Sequence, residues 1–171
     1  MRTLITMVLM VLTFVAFADE DPRTFLSLHV DFIGENSPKS LVRAIYLNAK
    51  QRKQYQISFK NGKLVDAKGN LFDTRGMSNG SSYYVLAKDG TFYTSTRKQD
   101  LKFEHSGYVA GADVICAGHI KVRDGKLLHI SDMSAQYVAH PYFNLRLTKK
   151  SLESKGVSMS KVVVMNWVDY Q

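Results

Sequence analysis

Short segments of alternating apolar and polar residues run along this chain, and turn signals separate them. Residues 24–33 have the period-two alternation of a half-buried strand. Three dipeptides, Asn61-Gly62, Asp89-Gly90 and Asp124-Gly125, lie between β-prone runs. Such dipeptides favour two-residue hairpin turns because their residues tolerate positive φ. The pattern therefore predicts three antiparallel hairpins.

Two longer segments have helical spacing instead. Residues 38–53 begin near a proline and repeat apolar residues on one face, which predicts an amphipathic helix with a basic outer face. A second segment places Tyr142, Leu145 and Leu152 on one helical face and ends at Gly156, a residue suited to a helix C-cap. We therefore expect one helix near each end of the domain.

The complete pattern predicts an α+β fold. Residues 161–168 are rich in valine and predict a short buried strand that closes the chain. Residues 108–122 are too apolar for a solvated strand, so their middle is expected to be covered on both faces. The prediction is a β-rich single domain of antiparallel hairpins that extends over residues 19–171.

The first 18 residues have the pattern of a secretory signal peptide. A basic residue at position 2 precedes an apolar run from Leu4 to Phe17, and Ala16 and Ala18 have the spacing that a signal peptidase recognises. The run is shorter than the roughly 20 residues that span a bilayer. We therefore predict cleavage after Ala18, a secreted or periplasmic protein, and no stable membrane span in the mature chain.

The chain is basic, with a formal net charge of +8. This charge favours acidic partners such as nucleic acid or an anionic surface. The basic residues that cluster are few: Lys50, Arg52, Lys53, Lys149 and Lys150. One functional alternative is therefore a binder of nucleic acid or anionic surfaces, with strongly salt-dependent affinity. The other interpretation is a basic surface that only contacts solvent.

The cysteine and histidine residues form no recognisable metal or cofactor motif. Cys116 is the only cysteine, so an internal disulfide is excluded, and its apolar neighbours indicate a buried side chain. The five histidines lack the spacings of common metal sites, and no phosphate-binding or dinucleotide-binding glycine motif is present. We expect no metal and no cofactor.

The turn at residues 124–125 sets a register for its hairpin. Counted outward from a two-residue turn, Arg123 lies opposite Lys126 and Val122 lies opposite Leu127. Further along, Ile120 lies opposite His129 and His119 lies opposite Ile130. On this register His119 and His129 point to opposite faces of the sheet and share a metal only if a bulge intervenes. Cys116 and His119, three residues apart, also point to opposite faces, which argues against a thiolate–imidazole pair.

His105 and Ser106 are the remaining candidates for chemistry. They lie in a stretch rich in small residues just before the apolar strand, which predicts a loop. A histidine and a serine at a strand end also commonly satisfy backbone groups. A nucleophile–base pair depends on the folded geometry and not on sequence neighbourhood. Both interpretations therefore stay open for the sequence alone.

A longer pattern around these residues resembles a known domain. The family pattern contains F-x-H-S-S-x-L-A-G, A-A-G-E, D-G-x-L and S-G-H-Y. The chain matches it at Phe103, His105, Ser106, Ala110, Gly111, Ala117, Gly118, Asp124, Gly125, Leu127, Ile130, Ser134 and Tyr137. The chain thus resembles the domain shared by plant IQ-motif calmodulin-binding family proteins and by bacterial secreted or effector-like proteins. The resemblance covers most of residues 41–168.

The chain also departs from this pattern. Gly107 replaces the second serine, His119 replaces the glutamate, and Ala135 and Gln136 replace the glycine and histidine of S-G-H-Y. An amide has no titratable proton near neutral pH, so Gln136 cannot serve as a general acid or base. The IQ segment of the plant proteins has no counterpart in this sequence, and calmodulin is therefore not an expected partner.

The hairpin around residues 124–125 also predicts where a site would form. Residues before its first strand and after its second lie at the same end of an antiparallel pair. We expect five side chains to converge there: His105, Ser106, Ser134, Gln136 and Tyr137. The predicted function is a binding or interaction module for an unknown protein or small-molecule ligand. The alternative is an extracellular hydrolase or transferase with His105 as base, assisted by Ser106 or Tyr137.

Overall fold

The computed structural model of this chain describes residues 24–27, 45–96 and 104–170. The predicted signal peptide, residues 28–33 of the first predicted strand and residues 38–44 of the first predicted helix lie outside these ranges. Across the described ranges, no helix is long and apolar enough to cross a bilayer.

The fold is built on one curled, mixed sheet of seven strands. The strand order is β2-β1-β4-β3-β5-β6-β7. All neighbouring strands are antiparallel except β6 and β7, which are parallel, so the prediction of antiparallel hairpins alone is incomplete. The strands are β1 (Gln56–Lys60), β2 (Lys63–Val65), β3 (Ser82–Ala87), β4 (Phe92–Thr94), β5 (Val114–Arg123), β6 (Lys126–Ser131) and β7 (Val163–Met165).

Three short α-helices accompany the sheet in the described residues. They are α1 (Ala49–Arg52), α2 (Glu104–Val109) and α3 (Phe143–Ser154). Single 3-10 turns occur at Lys53–Tyr55, Ser78–Gly80 and Trp167–Tyr170.

The first predicted helix is shorter than expected where the structure describes it. Residues 45–48 are not helical. The Asn48 side chain accepts hydrogen bonds from the backbone N–H groups of Lys50 and Gln51, and the Gln51 side chain accepts one from the Asn48 N–H. This capping box fixes the start of α1 at Ala49.

Helix α3 lies within the second predicted helical segment. Leu145 and Leu152 are buried as the spacing indicated, but Tyr142 precedes the helix with φ 61° and is exposed. After the helix, Gly156 has φ 82°, and the Val157 N–H donates to the Leu152 carbonyl. A left-handed glycine at this place ends the helix without the steric cost of a Cβ.

The three predicted turn dipeptides all connect strands. Residues 61–62 and 124–125 have positive φ at both positions, as two-residue turns require. At the third dipeptide only Gly90 has positive φ. The Ala87 N–H donates to the Thr91 carbonyl, so that loop contains three residues and the prediction of a two-residue turn is wrong there. A type I turn followed by a left-handed glycine is the usual form of such a loop.

The hairpin of β5 and β6 follows the predicted register only near its turn. Arg123 pairs with Lys126 and Val122 with Leu127, as predicted. The register then shifts between Lys121 and Val122, so Ile120 lies opposite Ile130 and Lys121 lies opposite His129. The predicted pairings of Ile120 with His129 and His119 with Ile130 are therefore wrong, because a bulge at Leu128 adds one residue to β6.

Both faces of the sheet are covered. On one face α3 packs over a core that includes Tyr84, Cys116, Ile120, Ile130, Leu145 and Leu152. On the other face α2 contributes to a second core that includes Tyr55, Val85, Tyr93, Tyr108, Ala117 and Tyr137. Residues 114–117 of β5 are buried, in agreement with the prediction for the middle of that strand.

Strand β7 lies at one edge of the sheet. Its side chains are more exposed than the apolar sequence predicted: Val163 is 58 % exposed and Val164 is 41 % exposed. The prediction of a strand in this segment is correct, but the prediction that it is buried is wrong, because β7 has a neighbour on one side only. The chain continues from β7 to Trp167 beside the end of β6.

Candidate functional site

His105 and Ser106 lie on helix α2, not on the predicted loop. Both side chains are buried. The helix ends where Ala110 and Gly111 both adopt left-handed φ, and the Gly111 N–H donates to the Ser106 carbonyl. Six residues are too few for a recognisable helical period, so a stretch of small residues predicted a loop. The helix fixes the orientation of both side chains more rigidly than a loop would.

The His105 ring is held at both nitrogens. Nε2 lies 2.9 Å from the carbonyl oxygen of Gly118, and Nδ1 lies 3.1 Å from Oγ of Ser134. A carbonyl oxygen only accepts, so we assign the proton to Nε2 and let the Ser134 hydroxyl donate to Nδ1. Ser134 Oγ in turn accepts from the backbone N–H groups of Gln136 and Tyr137. This network joins α2, β5 and the segment after β6.

Burial keeps the His105 ring neutral. The side chain is 4 % exposed, and its desolvation lowers its pKa to about 3. The bond to the Gly118 carbonyl opposes this shift only in part, and neighbouring His119 adds to it. His105 is therefore a weak base near neutral pH.

The other predicted residues complete the same buried network. The Gln136 side-chain oxygen accepts a 2.8 Å hydrogen bond from the Ser106 N–H. The Tyr137 hydroxyl donates to the Ala112 carbonyl at 2.9 Å, and its side chain is fully buried. The structure thus brings all five predicted residues together, on the two elements that the hairpin argument named.

The catalytic alternative pairs His105 with Ser106 or Tyr137, and neither hydroxyl forms a hydrogen bond with His105 among the described residues. The Ser106 hydroxyl is buried without a hydrogen-bond partner among the described residues, so it is not bonded to His105. Burial raises the pKa of Tyr137 well above its usual value, and its hydroxyl is already committed to Ala112. A nucleophile within reach of an activating base is the feature that such chemistry requires.

A cavity of about 320 Å³ lies beside this network. Three predicted residues, His105, Ser134 and Gln136, contribute to its wall, whereas Ser106 and Tyr137 are buried and do not line it. The other lining residues were not predicted: Tyr83, Glu104, His119, Met133, Ala135 and Trp167. Glu104, Met133 and Ala135 adjoin the predicted residues in sequence, whereas Tyr83 and Trp167 reach the cavity through strand pairings between distant segments.

Aromatic rings form much of the cavity wall. The Tyr83 ring centroid lies 4.7 Å from that of His105 and 4.9 Å from that of His119. These contacts follow from the pairing of Tyr83 with His119 across β3 and β5. On the other side, Oδ1 of Asp132 accepts a 2.6 Å hydrogen bond from the Trp167 backbone N–H, which fixes the chain next to the indole.

Burial also changes the electrostatics of the wall. It lowers the pKa of His119, and His129 nearby lowers it further, so His119 favours the neutral form. Burial raises the pKa of the Glu104 carboxyl. Burial likewise raises the pKa of Asp132, which lies behind Trp167. Burial thus disfavours the charged form of each of these groups.

The shifted register corrects one expectation about the histidines. With Lys121 opposite His129, His119 and His129 point to the same face of the sheet, not to opposite faces. Nε2 of His129 lies 3.4 Å from the sulfur of Met165. In the part of the chain that the structure describes, no group of three His, Cys, Asp or Glu side chains is arranged to hold a metal ion.

Cys116 lies on the face opposite to His119, as predicted. Its sulfur is 3.3 Å from the Tyr84 hydroxyl, inside the core that α3 covers. Burial raises the pKa of the thiol to about 11, so the nucleophilic thiolate is disfavoured. Cys116 therefore acts as a small core residue.

The basic clusters lie on two separate elements. Lys50, Arg52 and Lys53 belong to the first helical segment, whereas Lys149 and Lys150 belong to α3. The Arg52 guanidinium donates to the Leu47 carbonyl, and Lys149 forms an exposed ion pair with Glu153 at 3.9 Å. Binding to nucleic acid or an anionic surface stays a prediction.

Three curated relatives share about half of this chain. The IQ domain-containing proteins IQM5, IQM2 and IQM3 of Arabidopsis thaliana are 30 %, 28 % and 30 % identical to it, each over 54 % of this chain. The aligned part is 18 %, 16 % and 20 % of the relatives, so this chain matches about a fifth or less of their length. No solved structure matches the chain significantly.

The relatives correct the prediction about the compartment. The prediction of a secreted or periplasmic protein is contradicted, because the matched relatives are IQ domain-containing proteins of Arabidopsis thaliana. The apolar run at residues 4–17 that suggested export lies outside the described residues.

The matched family covers the site. The profile of the family described as "IQ motif-containing protein middle domain" matches residues 51–142. This range contains β1 to β6, helix α2 and the His105–Ser134 network. It thus covers more than half of the chain and the pattern from which the resemblance was inferred. The chain belongs to the family of the IQ motif-containing protein middle domain.

Proposed function

We propose that this domain is a non-catalytic interaction module that binds a ligand or a partner segment in the cavity beside His105. The main observation for the proposal is the structure of one cavity wall. The predicted site residues use their hydrogen bonds to hold the wall of a cavity of about 320 Å³ whose other lining residues include Tyr83, His119 and Trp167. Rigid walls with few polar groups are typical of binding sites. The IQ domain-containing relatives also favour an interaction module over an enzyme.

The residues of the site divide into two roles under this proposal. His105, Ser134 and Gln136 position the wall through buried hydrogen bonds, and Ser106 and Tyr137 support it from behind. The ligand contacts the exposed parts of the lining side chains. Calmodulin is not part of the proposal, because the matched family is the middle domain and not the IQ segment.

Trp167 provides the test. It is the only tryptophan of the chain and lines the cavity, so selective excitation reports on this site alone. We expect the fluorescence emission of Trp167 to shift when a ligand from a peptide or small-molecule library binds in the cavity. Exposed Ala135 lines the cavity, so Ala135→Phe is expected to fill it and abolish the shift.

Val138→Phe is the matched control. Val138 is 60 % exposed and is not a lining residue, so this variant should bind like the wild type. Equal ligand binding by the wild type and by Ala135→Phe would contradict the proposed site.

A further inference from the structure

An acidic residue lines the cavity of this basic chain. Glu104 is the one carboxylate residue among the described lining residues, and lysine and arginine are missing from them. Asp132 adds a second carboxyl group behind Trp167. The whole chain has a formal net charge of +8. The described lining therefore offers no lysine or arginine to an anionic ligand, and the cavity favours a positively charged ligand.

The aromatic rings that line the cavity together with Glu104 also favour a cationic ligand. Tyr83 and Trp167 provide two aromatic walls with negative π-faces, which attract ammonium and guanidinium groups. His105 and His119 lie within 5 Å of the Tyr83 ring centroid and stay neutral, so they do not repel a cation. The sulfur of Met133 adds a polarisable contact.

Glu104 itself lacks a counter-ion in the described structure. The side chain is half-buried, and none of the ion pairs formed between described residues includes it. Burying an ionised carboxylate is costly unless a cation or hydrogen-bond donors compensate. A bound cation would offset this cost.

We propose that the cavity binds the charged end of a lysine or arginine side chain from a partner protein, between Tyr83 and Trp167 and against the Glu104 carboxylate. The inference rests on the proposed function and names its ligand. A volume of about 320 Å³ accommodates one such side chain, and the main chain of the partner stays outside.

The test compares three probes of similar length by Trp167 emission. They are the N-acetyl amides of arginine, lysine and norleucine, and norleucine is the uncharged analogue. We expect the charged probes to bind roughly tenfold more tightly than norleucine, within the range of a desolvated cation–π contact. Glu104→Gln should remove most of this difference, and the partly buried amide preserves the shape of the side chain.

Each outcome separates the two proposals. If norleucine binds as tightly as arginine and lysine, and Ala135→Phe blocks all three, the cavity is a site but the cation inference is wrong. If no probe changes the emission at any accessible concentration, the cation inference is wrong, and a ligand found in the library screen would still support the proposed function. Circular dichroism and thermal unfolding of Glu104→Gln establish that the variant is folded. Glu153→Gln, on the exposed face of α3, is the control for the loss of one negative charge.

Discussion

Nε2 of His105 donates to the Gly118 carbonyl at 2.9 Å, across 13 residues of sequence. Gly118 lies in β5, where β3 and the end of β6 both approach it. A Cβ at this position would lie 1.9 Å from the Ser131 carbonyl oxygen. The position thus needs glycine for close approach, and the same residue holds the imidazole in place.

Gly118→Ala is expected to destabilise the fold strongly. The clash is with backbone atoms, which cannot rotate away, so the free energy of unfolding should fall by about 3 kcal/mol, at the upper end of overpacking effects. Urea unfolding measures the change. Gly76→Ala is the control, since no atom lies within 4 Å of its added Cβ and its φ is not left-handed. A tolerated Gly118→Ala would contradict the close packing described above.

The buried imidazole makes stability depend on pH. The pKa of His105 is about 3 in the folded protein and about 6.5 in the unfolded chain. The unfolded chain therefore binds more protons between these values. The contribution of His105 is fully present above pH 6.5 and is lost as the pH falls towards 3, by up to about 1.4 kcal/mol per pH unit.

The His105→Gln variant isolates this contribution. We expect a shallower loss of stability than in the wild type between pH 6.5 and 4, in unfolding curves recorded at several pH values. His140→Gln changes an exposed histidine and should keep the wild-type slope. Parallel slopes for the wild type and His105→Gln would show that His105 titrates normally.

Ser134→Ala removes the centre of the buried network. His105 Nδ1 loses its donor, and the backbone N–H groups of Gln136 and Tyr137 lose their acceptor. We expect a loss of about 2–3 kcal/mol in the free energy of unfolding, because buried polar groups are left unsatisfied. Ser160→Ala, at an exposed serine, should change it by less than about 0.5 kcal/mol. Similar values for both variants would contradict a structural role for Ser134.

The Tyr137→Phe variant distinguishes a role of the hydroxyl in stability from a role in ligand binding. The hydroxyl donates to the Ala112 carbonyl behind the cavity, so its loss should cost about 1 kcal/mol of stability and leave ligand affinity unchanged. Tyr142→Phe is the matched control: this tyrosine is exposed and its hydroxyl donates to Asp169 at the surface, so its loss should change stability by less than about 0.5 kcal/mol. A folded Tyr137→Phe that no longer binds would place the hydroxyl in contact with the ligand.

The sequence predicted His105, Ser134 and Gln136, which form the inner wall of the cavity. It did not predict Tyr83 and Trp167, which form the outer wall. The Asp124-Gly125 turn fixed which ends of β5 and β6 meet, and this was sufficient to bring His105 and Ser134 together. The bulge near Lys121 changed the face of His129, and a local pattern does not reveal such an inserted residue. The predicted register placed His119 and His129 on opposite faces of the sheet, whereas they lie on the same face.

The outer wall depends on contacts between distant segments. Tyr83 faces His119 because β3 pairs with β5, and Trp167 reaches the cavity because β7 pairs in parallel with β6. Hairpin turns specify pairing between consecutive strands, whereas neither of these pairings joins strands that are linked by a short turn. Alternation along one strand cannot select its partner, so these lining residues were missed.

The position of Trp167 has a consequence for the evolution of selectivity. The inner residues of the cavity lie within the matched range 51–142, but Trp167 lies beyond it. Homologous chains can therefore keep the same hydrogen-bonded scaffold and vary the 3-10 turn after β7 that carries the indole. Exchange of that turn alone would redirect such a module to a new ligand and leave the His105–Ser134 network in place.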